Sequence, residues 1–201
     1  MTQTMAAPEM GQSLKVMKRL VLVLEYDGTN YCGFQWQANT PTIQSELEKA
    51  LEKLTAEKVR VAASSRTDTG VHARGQVVSF DTSSSLSVET FIHGLNYHLP
   101  EDIAVKSAHQ VNDSFLIRNM SVSREYSYYF LNSQTRSPIT ARFAHRIAGE
   151  LDVEAMNRAC HALVGIHDFA SFASDISDEP QMSTVRHVYQ AKVEHDGDIV
   201  V

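Results

Sequence analysis

The sequence predicts an α+β protein made of two ferredoxin-like units, the second of them incomplete. Three observations lead there. Between residues 19 and 111 the apolar periodicity switches in the order strand, helix, strand, strand, helix, strand. That is the order of a ferredoxin-like unit, an antiparallel sheet with helices on one side. From residue 119 onward a second series runs strand, helix, strand, strand and stops without a closing helix and strand. The 201 residues, 43% hydrophobic and 21% charged, suffice for one large domain or two small ones with buried cores. Residues 1–18 read as a disordered lead-in, 19–114 as the first unit and 115–201 as the second.

The elements follow in order. "RLVLVLEY" (19–26) is a short β-branched apolar run, the mark of a buried strand. In "TPTIQSELEKALEKLT" Thr40 suits a helix cap and Pro41 the first helical turn, with Ile43, Leu47, Ala50, Leu51 and Leu54 on one face. "KVRVAAS" (58–64) alternates as a strand, and "GQVVSFDT" (75–82) is another. Val88, Phe91, Ile92 and Leu95 share a face of a second helix that ends by Pro100. "DIAVKSAHQV" (102–111) closes the first unit. In the second, "NMSVSREYSYYFLN" (119–132) alternates. Met120, Val122, Arg124, Tyr126, Tyr128 and Phe130 fall on one side, and Ser121, Ser123, Glu125 and Ser127 on the other. A helix over 152–164 follows, capped by Asp152 and stopped by Gly165. "VRHVYQAKVEH" (185–195) is a strand, Asp196-Gly197 a hairpin turn, and "DIVV" the start of another strand. A sheet that ends on an apolar half-strand leaves an unpaired edge. The chain is therefore expected to be a fragment, or to be completed by something else.

Composition narrows the function. No apolar run is long enough for a membrane-spanning helix, and the N-terminus lacks the features of a signal or transit peptide. The two cysteines, Cys32 and Cys160, have no metal-ligand spacing, so a reduced cytoplasmic setting is expected. The net charge is −6, but it is unevenly spread. Residues 60–80 carry three arginines against one aspartate, residues 115–146 five arginines against one glutamate, and residues 147–201 ten acids against three bases. Local clusters, not the sum, attract phosphates; scattered arginines that merely solvate a surface would give the same count.

Chemistry centres on "SSRTDTGVHARGQ" (64–76). It joins two predicted strands and is longer than an ordinary hairpin loop. Asp68 within it is open to two readings: a turn residue bound to its own backbone, or a carboxylate held for reaction. Arg124 lies on an otherwise apolar and aromatic strand face, where a charge needs a partner: a phosphate, a carboxylate such as Asp68, or an edge to which it can snorkel. Tyr126 beside it suits a core or a stacked nucleobase. The nine histidines show no metal spacing, no phosphate-binding glycine loop or nucleophile elbow is present, and "GTNYCG" reads only as a turn after a strand.

Four collinear segments carry a resemblance. "LEYDGTNYCGFQWQANTPTIQSELEKAL", "SSRTDTGVHARGQVVSF", "SREYSYYF" and "LVGIHDFASF" resemble the motifs of the tRNA pseudouridine synthase A family, from about Arg19 to the last residue. The resemblance implies isomerisation of uridine to pseudouridine at positions 38–40 of tRNA, without cofactor or metal. It implies two units around a central cleft, and a homodimer with tRNA lying across both subunits. By the same resemblance Asp68 is the nucleophile, attacking either the uracil ring or the ribose anomeric carbon. Arg66 helps to hold the flipped base, Tyr126 packs against it, and Arg118, Arg124 and His72 join the substrate-binding set. Two departures stand out. A family stretch Phe-His-Ala-Arg reads "FLIR" (115–118) here, so Arg118 matches and the histidine does not. The family also continues past "DGDIVV" with a segment whose basic residue pairs with the catalytic carboxylate, so this chain alone is expected to be inactive. The competing expectation is a non-catalytic RNA-binding module of the same fold, using exposed sheet aromatics.

Overall fold

The computed structural model describes residues 16–118, 120–173 and 183–201. The predicted lead-in lies outside the described residues except for Val16, Met17 and Lys18, the last of which opens the first strand. The fold is mixed α+β, with three α-helices and several antiparallel strand pairings among the described residues. The chain divides into two compact units, one ending at Arg124 and one from Glu125 to Val201.

In the first unit the elements are β1 (Lys18–Tyr26), α1 (Ile43–Thr55), β2 (Ala62–Ala63), β3 (Ala73–Thr82), α2 (Val88–His98) and β4 (Ile103–Val111). The sheet order is β2-β3-β1-β4 with every pairing antiparallel. The alternation of β1 explains the core. Leu20, Leu22 and Leu24 are fully buried on one face, and join Val78 and Phe80 of β3, Ile103 and Val105 of β4, Ile43, Leu47 and Leu51 of α1, and Phe91 and Leu95 of α2. The two helices also approach each other closely. A Cβ at Gly94 of α2 would stand 2.5 Å from a Leu54 methyl of α1, so a larger residue there would require the Leu54 side chain to shift.

Two details of this unit differ from the sequence reading. The cap of α1 is Thr42, not Thr40: the Thr42 hydroxyl accepts the Ser45 amide and the Ser45 hydroxyl accepts the Thr42 amide, a reciprocal capping box. Pro41 therefore lies outside the helix. The predicted strand 58–64 shrinks to Ala62–Ala63 because α1 takes its backbone. Glu48 accepts the Val61 amide at 3.0 Å and Gln44 donates to the Val61 carbonyl at 3.2 Å, leaving no ladder groups there.

The second unit contains β5 (Phe130–Asn132), β6 (His145–Ile147), α3 (Val153–His161), β7 (Gly165–Asp168), β8 (Val185–Val188), β9 (His195–Asp196) and β10 (Ile199–Val200). One sheet runs β6-β5-β10-β9, with β5 and β6 parallel; β7 and β8 form a separate antiparallel pair. Asp152 caps α3 as predicted, accepting the Ala155 amide at 2.8 Å. The helix ends at His161, earlier than Gly165, which has φ +117° and opens β7. A tight turn between β9 and β10 is present one residue later than expected, at Gly197-Asp198, with Gly197 at φ +59°.

The long strand predicted over 119–132 is not formed. Among the described residues, pairing is confined to Phe130–Asn132, which meet β10 and β6, and to the Tyr129 carbonyl, which accepts the His145 amide at 2.9 Å; residues 120–128 are assigned to no strand. Its supposed inner face is open to solvent: Val122 is 90%, Tyr126 74% and Tyr128 72% exposed. The predicted strand 185–195 is likewise interrupted, with Val185–Val188 forming β8 and His195 opening β9. Asn157 of α3 holds both backbone groups of Val193 at 2.8 Å, a side chain again replacing a strand partner.

Candidate active site

The loop between β2 and β3 is clamped from beneath by the segment that follows β1. Phe34 donates its amide to the Thr67 carbonyl at 2.9 Å, and the Thr67 hydroxyl shares a 2.8 Å hydrogen bond with the Tyr26 hydroxyl. The Gly70 amide donates to the Tyr31 carbonyl at 3.2 Å. Asp68 lies between these anchors, so its flanking residues are fixed on both sides. Its own carbonyl accepts the Val71 amide at 3.2 Å, closing a turn in which Gly70 has φ +77°.

Two glycines make this seating possible. A Cβ at Gly28 would stand 2.0 Å from the Val71 carbonyl oxygen, and one at Gly33 2.7 Å from the Thr67 carbonyl oxygen. Gly33 also has φ +84°, a region that favours glycine. The loop therefore rests directly on the bare backbone of residues 28–33.

This floor is tied in turn to the start of β4. The Tyr31 hydroxyl donates to the Asp102 carboxylate at 2.5 Å, and the Asp27 amide to the Asp102 carbonyl at 2.9 Å. Burial, reinforced by the Asp102 carboxylate, raises the pKa of the Tyr31 hydroxyl far above its ordinary value, so it remains a donor. Burial also raises that of Tyr26, partly offset by the bond to Thr67.

The Asp68 side chain is exposed and forms no hydrogen bond or ion pair with another described residue. The turn is thus closed by main-chain groups, and the carboxylate is left to face solvent. Arg66 and Arg74, two and six residues away, are exposed and equally without a protein partner among the described residues, as is Arg118. Arg124 is not paired with a carboxylate among the described residues. Its guanidinium donates to the Ser64 carbonyl at 2.8 Å, bracing the start of the loop from outside. Buried Gln76 braces the same stretch, donating to the Ser65 carbonyl at 2.9 Å. His72 turns its Nδ1 toward Asp27 and the Gly28 amide. The structure thus gathers Arg66, Asp68 and His72 on one loop that Arg124 braces, whereas Tyr126 belongs to the second unit.

Sequence reasoning missed the floor. "GTNYCG" reads as a plain turn, yet it supplies Gly28, Tyr31 and Gly33. The available signal was the pair of glycines five residues apart next to a buried strand end. Among the described residues no cluster of three or more histidine, cysteine or acidic side chains is arranged to hold a metal ion. No described helix is long and apolar enough to cross a membrane.

Residues 22–118, the segment that contains the loop and its floor, match the family of proteins described as tRNA pseudouridine synthase. The protein named tRNA pseudouridine synthase A from Roseiflexus castenholzii is 45% identical over 177 residues, 88% of this chain and 64% of that protein. Its namesake from Thermoanaerobacter sp. (strain X514) is 40% identical over 184 residues, 92% of this chain and 75% of the relative. That from Geobacter sp. (strain M21) is 42% identical over 181 residues, 90% and 72% respectively. The chain therefore spans about two thirds to three quarters of the length of these relatives. With identity at this level across nine tenths of its own length, the chain belongs to the tRNA pseudouridine synthase A family.

Proposed function

We propose that this chain isomerises uridine to pseudouridine in tRNA, in the anticodon arm at positions 38–40, with Asp68 as the nucleophile. The observation that carries the reading is a solvent-facing carboxylate with no protein partner, held between backbone anchors on a loop that lies within the family match. A carboxylate suits the chemistry because it forms a covalent adduct and departs again. The bond between uracil N1 and ribose breaks, a carbon–carbon bond forms between C5 of the turned base and the anomeric carbon, the C5 proton passes to solvent, and N1 takes up a proton in its place. Nothing is oxidised or reduced.

The target base must leave its stack to reach Asp68. Arg66 is suited to hold the flipped nucleotide, and Arg118 to meet the phosphate backbone, because both guanidinium groups are exposed and uncommitted within the protein. Exposed Tyr126 is suited to pack on the base. Arg124 enters this set through the loop it braces, and His72 through the contacts taken up below. The order β2-β3-β1-β4 supports a ferredoxin-like first unit over residues 19–114. A homodimer working in the cytoplasm completes the proposal.

The test is Asp68→Asn in the full enzyme, assayed by tritium release from tRNA carrying 5-tritiated uridine. Turnover is expected to vanish while tRNA binding is nearly unchanged. Normal turnover in the variant would remove Asp68 from the chemistry. Binding without turnover in the parent protein would favour a non-catalytic RNA-binding module.

A further inference from the structure

The His72 ring nitrogen Nδ1 is asked to do two incompatible things. It lies 3.2 Å from the Gly28 amide, which points its hydrogen at it, and 3.0 Å from Asp27 Oδ1. An imidazole nitrogen carries either a lone pair or a hydrogen. With the lone pair it accepts Gly28 and cannot donate to Asp27. With the hydrogen it donates to Asp27, and the Gly28 amide, on a buried residue, loses this acceptor. Asp27 does not depend on His72, because its Oδ1 also accepts the Thr29 amide at 3.0 Å and the Thr29 hydroxyl at 2.5 Å.

The position of Gly28 gives this choice its importance. Gly28 is the residue on which the Val71 carbonyl rests, and the Val71 amide closes the turn onto Asp68. We infer that His72 is a positioning residue for Asp68. It acts through Gly28, and the loop is aligned while Nδ1 is unprotonated and released when Nδ1 gains a proton and turns to Asp27. From the segment after β1 the charged group facing the ring is Asp27; on its own loop the charges are Arg66, Asp68 and Arg74. The hydroxyls of Tyr26 and Tyr31 stay protonated and add none. This role rests on the reading of Asp68 as the nucleophile, but its structural half can be measured without turnover.

The variants are His72→Asn, whose amide oxygen can accept Gly28 but cannot titrate, and His72→Ala, which removes the acceptor. In the full enzyme His72→Ala should lower kcat about 10- to 100-fold with KM little changed. His72→Asn should keep most of kcat and hold it at acid pH, where the parent falls. In parallel, nitrogen-15 NMR of the parent chain should show Nδ1 as an acceptor at neutral pH. The amides of Gly28, Asp68 and Gly70 should then shift with the His72 midpoint, and this titration should be absent in His72→Asn. Loop amides that ignore the His72 titration, or a His72→Asn pH profile identical to the parent's, would overturn the inference. An inactive parent would count against the functional reading alone, and the NMR arm would still decide the positioning role. Should His72→Ala fail to fold, the comparison of parent with His72→Asn remains decisive.

Discussion

Gly28→Ala is the sharpest perturbation of the Asp68 loop, because it adds one methyl group beneath it and changes no polar atom. The new Cβ would stand 2.0 Å from the Val71 carbonyl oxygen and 2.7 Å from its carbonyl carbon. A carbon–oxygen contact of even the closest common kind needs about 3.3 Å, so the backbone of the loop must retreat by roughly 1 Å. Displacement on that scale can cost about 100-fold in rate, which is about 2.7 kcal/mol of transition-state stabilisation. Overpacking should remove about 1–3 kcal/mol of fold stability, a loss that a domain with a margin of roughly 5–15 kcal/mol survives. The assay pairs kcat/KM from tritium release with denaturant unfolding and tRNA affinity. We expect kcat/KM to fall about 100-fold with tRNA affinity nearly intact. Gly75→Ala serves as the control, since a Cβ there meets no atom within 4 Å. If Gly28→Ala lost stability yet turned over normally once folded, the position of Asp68 would not be set by this contact.

Three further outcomes are expected. Tyr31→Phe removes the donor to Asp102 and should cost about 1.5–3 kcal/mol in denaturant unfolding; a loss within experimental error would mean the bond is not formed in solution. Asp81→Asn should cost no more than about 1 kcal/mol, because its ion pair with Arg19 is partly exposed. The hydrogen bond from Arg19 holds the Asp81 carboxyl below its usual pKa. Its contribution is therefore full above the ordinary aspartate value of about 3.9 and lost as pH falls through the lowered one, so parent and variant should converge in acid; a gap that widened there would reverse the sign of the argument. Binding of tRNA should depend on salt despite the net charge of −6. If Arg66, Arg74 and Arg118 each neutralise one phosphate, the logarithmic slope should be about −2 to −3, and a flat dependence would turn these arginines away from RNA.

The first unit was legible because its elements bury one face and the periodicity of burial is written in the side chains. Leu20, Leu22 and Leu24 alternate, and Phe91 and Leu95 recur at helical spacing, as the core requires. Places where the reading failed share a cause. Lys58–Val61 and the stretch around Val193 alternate like strands, but Glu48 and Gln44 occupy the backbone groups of Val61 and Asn157 those of Val193, and such capture by a distant side chain leaves no local trace. The alternation of residues 120–129 was real in sequence, yet a strand exists only where a partner ladder meets it. For the candidate site, the RTD segment was legible as a long polar loop with a carboxylate, and the resemblance gave it a role. Its floor was not legible, because close approach of two backbones is signalled by absent side chains. Arg124 was singled out for needing a partner, but that partner is a carbonyl of the loop itself.

The seating of the Asp68 loop on residues 28–33 also bears on how the protein reaches its native state. The contacts that hold the loop join residues about forty apart in sequence, and the tie from Tyr31 to Asp102 spans seventy-one. Contacts of such separation form only after the chain has closed large loops, which is slow compared with making a helix or hairpin. A peptide carrying only the RTD segment and its flanking strands would lack the floor entirely and would hold the aspartate in no fixed place. The loop geometry is therefore expected to arrive late in folding, with the pairing of β1 between β3 and β4. An intermediate lacking that pairing would have its helices but no ordered Asp68 loop, so refolding followed by far-ultraviolet circular dichroism should run ahead of the recovery of loop structure.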